Sequence, residues 1–277
     1  LFVGVFSCNF VWRVLFMVKK YIADWKVKEN KVLNNDHCLL KLCLDEPLPE
    51  ILPGQFVQVK INHSEHTFLR RPISVHFVNQ KVRELWLLIQ SVGEGTRLLT
   101  IVNKGEALNL IYPLGKGFTI PSENNKSNKY LLVGGGVGAA PLLYLGAFLK
   151  EKGITPAFLL GARTENNLLQ LSEFQKYGEV YITTEDGSAG EKGWVIHHSI
   201  LQKGAVDFIY SCGPKPMMMA MARYARQRSI PCEVSLENTM ACGIGACLCC
   251  IEKTTEGPAC VCTEGPVFNI NQLTWPI

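Results

Sequence analysis

From Tyr21 to about Ile120, apolar and polar positions alternate in short runs broken by turn residues: KLCLDE, GQFVQVKI, ISVHFV, ELWLLIQSV and ALNLIYPLG. A period of two turns one face of each run inward, and a series of such runs predicts a small antiparallel β-barrel. The polar stretch PSENNKSNK closes this region. Beyond it, strand-like apolar runs (YLLV, AFLLGA, EVYITT, DFIYSC) take turns with helix-like segments (AAPLLYLGAFLKEKG, NLLQLSEFQKYG, PMMMAMARYARQRS). That alternation predicts parallel βαβ units with helices on both faces of a sheet. The expected class is therefore β + α/β. We divide the chain into an extension at 1–16, a barrel at 17–122, a parallel α/β domain at 123–230 and a C-terminal module at 231–277.

The first seventeen residues, LFVGVFSCNFVWRVLFM, are apolar but fit neither a membrane span nor a signal peptide. Arg13 interrupts them, and Lys19 and Lys20 follow the apolar run instead of preceding it. We expect Met17 to be the biological start, with residues 1 to 16 arising from an upstream start assignment, and we expect no membrane attachment.

Composition narrows the function. The chain has 277 residues, 47% apolar and 19% charged, which excludes extended disorder. Its net charge is only +4 with Lys and Arg scattered, so nucleic acid is not an expected partner. Of eleven cysteines, six fall between Cys242 and Cys262. An odd total packed so tightly favours a metal centre in a reducing compartment, the cytoplasm, over a disulfide framework.

Three groups of residues suggest ligands. In YLLVGGGVGAAP a strand runs into Gly134, Gly135, Gly136 and Gly138 and then a helix, as in Rossmann-like dinucleotide sites, where glycine lets the backbone approach a pyrophosphate. Ala139 stands where a third fingerprint glycine would be, and Gly161, Ala162 and Arg163 follow the next strand where an acidic residue would select NAD. A bare strand-to-helix turn would look similar. A second turn, Cys212, Gly213, Pro214, follows DFIYS; Cys212 is either a nicotinamide-pocket residue or a small buried one, and Met217 to Met219 are core packing. In the barrel, Arg70 and Arg71 precede Pro72, Ile73 and Ser74, and Gly93, Glu94, Gly95 and Thr96 follow later. Arginine forks and Gly-Thr turns both suit phosphate.

Cys242, Cys247 and Cys250 form C-x4-C-x2-C, and Cys262 follows; this is the plant-type spacing for a 2Fe–2S cluster. Zinc sites more often use paired C-x2-C knuckles, and Gly243 and Gly245 suit a loop wrapped round a larger inorganic core. Cys249 could replace Cys250, and Cys260 could replace Cys262. His37, His63, His66, His76, His197 and His198 show no catalytic or metal spacing, with the last two expected on a helix or its end, and no hydrolytic triad or carboxylate pair stands out.

The order RRPIS, GEGT, GGGVGAAP, CGP, ACGIGAC and VCTEGPVF resembles the ferredoxin reductase-like flavoproteins, and more closely the electron-transfer subunits of type B dihydroorotate dehydrogenase. The resemblance runs from about Lys19 to the C-terminus. It implies FAD at Arg71, Pro72, Ile73 and Ser74, at Leu88, Ile89 and Gln90, and at Gly95 and Thr96. It implies NAD on the glycine loops, and it selects Cys242, Cys247, Cys250 and Cys262 as ligands, leaving Cys249 and Cys260 without a role. It also implies an FMN-containing catalytic subunit as partner in a heterotetramer serving pyrimidine (UMP) biosynthesis, with no catalytic residue on this chain. Other readings are the small subunit of an NAD(P)H-ferredoxin oxidoreductase or hydrogenase-type diaphorase, and a zinc-stabilised interaction module.

Overall fold

The computed structural model describes residues 19–62 and 64–276, with only the backbone at position 123. The expectations for residues 1 to 16 and Met17 lie outside the described residues. Six strands close an antiparallel barrel in the order β1-β2-β5-β4-β3-β6. They are β1 (Tyr21–Asn34), β2 (His37–Cys43), β3 (Phe56–Val59), β4 (Arg71–Asn79) and β5 (Glu84–Gln90), followed by helix α1 (Glu94–Thr100) and β6 (Ala107–Leu114). The alternation read in the sequence fills this barrel: Trp25, Val27, Leu40, Leu42, Val57, Val59, Leu85, Leu87, Leu108 and Leu110 are all buried. Each such side chain contributes about 1.5–3 kcal/mol on leaving water. The first strand, YIADWKVKENKVLN, does not stand out by pattern, because most of its positions are exposed or half-buried and only Trp25 and Val27 are buried. Helix α1 is likewise absent from the sequence pattern; it buries Leu99 in the barrel core.

The second region contains β7 (Tyr130–Gly135), α2 (Ala140–Glu151), β8 (Ala157–Ala162), α3 (Leu171–Gln175), β9 (Glu179–Thr184), β10 (Glu191–Lys192), α4 (Ile200–Lys203), β11 (Phe208–Cys212), α5 (Lys215–Gln227) and β12 (Cys232–Ser235). A hairpin of β13 (Ile251–Thr254) and β14 (Gly257–Cys260), helix α6 (Val261–Glu264) and β15 (Val267–Asn269) complete the chain. The main sheet has the order β10-β9-β8-β7-β11-β12-β15. Its strands are parallel except β15, which runs antiparallel on β12. Thus residues from the C-terminal module extend the sheet and tie the cysteine loop to it. His197 ends a short helical turn and His198 follows it.

Two contacts orient the barrel on the sheet. Tyr144 of α2 reaches into the barrel core and donates a hydrogen bond of 2.9 Å to the Ile51 carbonyl. His76 of β4 is fully buried, with Nδ1 2.7 Å from the Ala140 carbonyl and Nε2 2.6 Å from the Gln170 carboxamide. Burial lowers the pKa of His76, so the ring is neutral. A neutral ring carries one N–H, so it donates either from Nδ1 to the Ala140 carbonyl or from Nε2 to the Gln170 Oε1 that faces it. On the other side, Phe56 and Leu114 of the barrel enter the apolar core that contains Cys250, Val261 and Cys262.

Candidate functional site

The residues named for FAD come together along β4, β5 and α1. Gly95 lies against Arg71: a Cβ at position 95 would stand 2.6 Å from Arg71 Nε, so any larger residue would push the arginine side chain aside. The two arginines have separated tasks. Arg70 Nη1 donates to the Asn109 carbonyl at 2.8 Å and to that of Gln58 at 3.3 Å, whereas Arg71 is uncommitted among the described residues. The Thr96 hydroxyl is used locally, donating to the Gly93 carbonyl at 3.0 Å and accepting from the Val92 and Gly93 amides at 3.0 and 3.1 Å. What the turn offers an anion is therefore its backbone N–H groups, which a helix start leaves without intrahelical partners. Ile89 fills the barrel core and pairs with Cys38 of β2; Leu88 and Gln90 alternate to the other face. On β4, Ile73 likewise packs on the core, and Pro72 and Ser74 face the opposite way, paired with Gln58 and Phe56 of β3.

The residues named for NAD meet at the carboxyl ends of adjacent strands β7 and β11, where open parallel sheets bind ligands. Gly136 has φ +55° and open space where a side chain would be. Gly138 abuts the second loop: an added Cβ would lie 2.9 Å from the Cys212 carbonyl oxygen. Gly134 and Gly135 are packed against Ala139 and Met217 respectively, and Gly213 adopts φ +150° against Met217 and Gly135. Cys212 is fully buried, and burial, with the Glu237 charge nearby, drives its pKa well up; it is a thiol, not a thiolate. Glu237 carries no sequence signal. It is exposed, and desolvation by the surrounding protein pushes its carboxyl pKa up.

In the C-terminal module the four named cysteines form two pairs. Cys242 interacts with Cys247, and Cys262 with Cys250. Burial opposes ionisation of Cys242, but N–H groups of Ile244, Cys247 and Ala246 with the Cys247 thiol outweigh it and bring its pKa to about 6. The Ile244 and Ala246 amides lie 3.5 and 3.3 Å from its sulfur. Gly243 and Gly245, at φ +70° and +87°, make that inward turn of the amides possible. Cys262 is held up at about 12 by burial and by Cys250, whose sulfur accepts the Cys262 amide at 3.3 Å. Cys250 and Cys262 are buried, Cys242 and Cys260 are half-buried, and Cys247 and Cys249 are both exposed. Among the described residues no three His, Cys, Asp or Glu side chains converge on one metal ion.

Two family models match the chain. One described as the iron-sulfur cluster binding domain of dihydroorotate dehydrogenase B matches residues 237–274, and one described as an oxidoreductase NAD-binding domain matches residues 132–223. The dihydroorotate dehydrogenase B (NAD(+)) electron transfer subunit of Shouchella clausii is 37% identical over 226 residues, covering 80% of this chain and 86% of that protein. Its counterpart from Fusobacterium nucleatum is 36% identical over 253 residues, 89% of this chain and 96% of that one. The chain belongs to this family.

Among solved structures, a chain of an NADH-dependent reduced ferredoxin–NADP oxidoreductase superposes with a TM-score of 0.81 at 28% identity, covering 91% of this chain and 90% of that one. The ferredoxin reductase of a carbazole 1,9a-dioxygenase, at 20% identity and a TM-score of 0.66 over 78% and 68%, shares the fold. As a dihydroorotate dehydrogenase B electron transfer subunit, the chain is an oxidoreductase subunit that uses a 2Fe–2S cluster, FAD and NAD, and its family name implies a catalytic partner subunit. The zinc-module reading is set aside, since the cysteine module matches an iron–sulfur model. The ferredoxin-oxidoreductase reading is no better supported than the family assignment. No helix among the described residues is long and apolar enough to cross a membrane.

Proposed function

We propose that this subunit carries electrons from the FMN of a dihydroorotate-oxidising catalytic subunit, through its 2Fe–2S cluster and FAD, to NAD+, within a cytoplasmic heterotetramer. Residues 17–122 hold FAD, 123–230 hold NAD and 231–277 hold the cluster. The observation that carries this reading is the position of the cysteine loop. It packs on the barrel strand beside the RPIS segment, with Gly243 against Gln58, and it also carries exposed Ile244 and Leu248. A relay needs both features, one cofactor close by within the chain and an approachable surface for the donor.

Nicotinamide exchanges electrons in pairs, an iron–sulfur cluster one at a time, and a flavin does both, which gives FAD the middle place. The chain's own residues bind and orient. Arg71 and the amides at Gly95 and Thr96 hold the FAD phosphates, while Pro72, Ile73, Ser74, Leu88, Ile89 and Gln90 line the flavin. Gly134, Gly135, Gly136, Gly138, Cys212 and Gly213 form the NAD site. Cys242, Cys247, Cys250 and Cys262 ligate iron.

The test is reconstitution. Coexpressed with its catalytic subunit, the chain copurifies as a complex that contains FMN, FAD, iron and sulfide, and forms orotate with NAD+ as acceptor. The chain alone oxidises no dihydroorotate but retains NADH-to-dye activity. Copurification with a large iron–sulfur subunit instead, or orotate formation by this chain alone, would overturn the assignment.

A further inference from the structure

Gln58 of β3 is fully buried, and neither its carboxamide oxygen nor its nitrogen has a hydrogen-bond partner among the described residues. Leaving a buried carboxamide unpaired is costly, and an apolar residue of that size would pack there without the penalty. Its neighbours indicate what the amide is for. On the strand ladder Gln58 pairs with Pro72 of the RPIS segment. Against its side chain packs Gly243, next to Cys242: a Cβ at 243 would stand 2.7 Å from Gln58 Nε2 and 2.6 Å from its Cγ. Glycine at φ +70° thus leaves room for the glutamine head group against the cysteine loop. The Gln58 backbone is already engaged, its carbonyl accepting from Arg70. Only the side-chain amide is left over.

We infer that Gln58 is a positioning residue for electron transfer, whose amide NH2 donates a hydrogen bond into the sulfur shell of the cluster held by the Cys242 loop. The inference rests on the cofactor assignment above and goes beyond it in giving this loop a donor from the barrel. Reduction adds negative charge to a cluster, and a donor to its sulfurs stabilises the reduced state and raises its potential. Because Gln58 stands between the RPIS strand and the cysteine loop, it links the cluster's potential to the barrel that holds the flavin.

The experiment compares wild type with Gln58→Met, close in size and without a donor, and Gln58→Glu, which replaces the donor by a carboxylate, each as the complete complex. Iron, sulfide and flavin contents come first. A wild-type complex lacking iron defeats the cofactor assignment and the inference with it, and is distinct from an iron-loaded complex whose potential Gln58 does not move. EPR-monitored redox titration then reads the cluster, and visible spectroelectrochemistry reads FAD. The expected result is normal cofactor content with the cluster's reduced-to-oxidised ratio falling about tenfold at a given potential in Gln58→Met, a downward shift of about 59 mV for a one-electron couple. Gln58→Glu shifts in the same direction, and the cluster g-values change in both. An unchanged cluster potential and EPR spectrum in both variants would overturn the inference, as would a shift confined to FAD. Should Gln58→Met fail to accumulate, Gln58→Glu alone supplies the same measurements, and the same outcomes support or overturn the role of Gln58.

Discussion

Gly138 and Gly213 are in backbone contact, so close that a Cβ on Gly138 would stand 2.3 Å from Gly213 Cα. The first glycine loop and the CGP loop thereby form one continuous rim over β7 and β11. Gly138→Ala forces them apart. Overpacking of this kind costs about 1–3 kcal/mol, roughly a 5- to 150-fold loss if it falls on the NAD-binding conformation. We expect a raised KM for NAD+ with FAD and iron content unchanged, measured by steady-state kinetics and cofactor analysis. Gly136→Ala meets no atoms and is limited instead by its φ of +55°, so it should cost less.

The cysteine register gives a discrete prediction. Cys242 interacts with Cys247 and Cys250 with Cys262, whereas Cys260 ends strand β14; exposure does not single out Cys249, since Cys247 is exposed as well. Serine at any of 242, 247, 250 or 262 should abolish or alter the reduced-cluster EPR signal and lower iron content. Serine at 249 or 260 should leave both unchanged. Loss of iron in Cys260→Ser with retention in Cys262→Ser would reverse the assignment of the fourth ligand.

Much of this was legible in the sequence because the signals were of the kind that burial enforces. The runs AFLLGA and EVYITT coincide with β8 and β9 to the residue; in β8 Phe158, Leu159 and Leu160 are buried as a central parallel strand requires, while β9, one strand from the sheet edge, is half-buried over half of its length. The cysteine spacing was legible because loop length round a cluster is a covalent constraint. What stayed hidden depends on tertiary contact. Strand β1 owes its conformation to pairing with β2 and β6, not to its own pattern. NLLQLSEFQKYG reads as a long helix but forms only Leu171–Gln175, starting after Gln170 at φ +55°, the residue that meets His76. Gln58 and Glu237 carry no motif at all; their interest appears only when burial and neighbours are known.

Arg71 and Gly95 should act as a unit in flavin retention. Arg71→Ala removes charge-assisted hydrogen bonds to phosphate, typically about 1.5–3 kcal/mol, so FAD affinity should fall roughly ten- to a hundredfold. Gly95→Ala displaces the guanidinium by steric contact and should show the same loss in milder form. Arg70→Ala differs: Arg70 braces the barrel through Asn109, so this variant should lower the unfolding midpoint. Flavin fluorescence after gel filtration, beside thermal unfolding curves, separates the two effects.

His76 makes stability depend on acid. Its folded pKa is lowered by burial from 6.5, so below that pH the unfolded chain takes up a proton that the folded one refuses. The stabilising contribution is complete above about pH 6.5 and is lost progressively as pH falls from there toward the lowered folded value. His37 and His198, also lowered by burial, act in the same direction. Urea midpoints should decline between about pH 7.5 and about pH 5.5, and His76→Gln should flatten that decline while lowering the midpoint at neutral pH. A midpoint independent of pH in wild type would count against the neutral buried ring.

The cysteine loop also predicts where the catalytic subunit attaches. Leu248 adopts φ +57°, an unusual conformation for a branched side chain, and is 62% exposed. Ile244 and Ile251 are 45% and 38% exposed on the same cysteine-bearing stretch. Strain and apolar exposure together cost stability in the isolated chain, and burial against a partner recovers part of it. Leu248→Glu should therefore weaken association with the catalytic subunit by at least about tenfold, since a carboxylate would have to be desolvated in the interface. The chain's own FAD, iron and NADH-to-dye activity should be retained, and the Leu248→Glu chain, free of an exposed leucine, should be no less soluble. Analytical ultracentrifugation of the mixed subunits reads the association, and dihydroorotate-dependent NAD+ reduction should fall with it; unchanged assembly would move the docking surface elsewhere on the subunit.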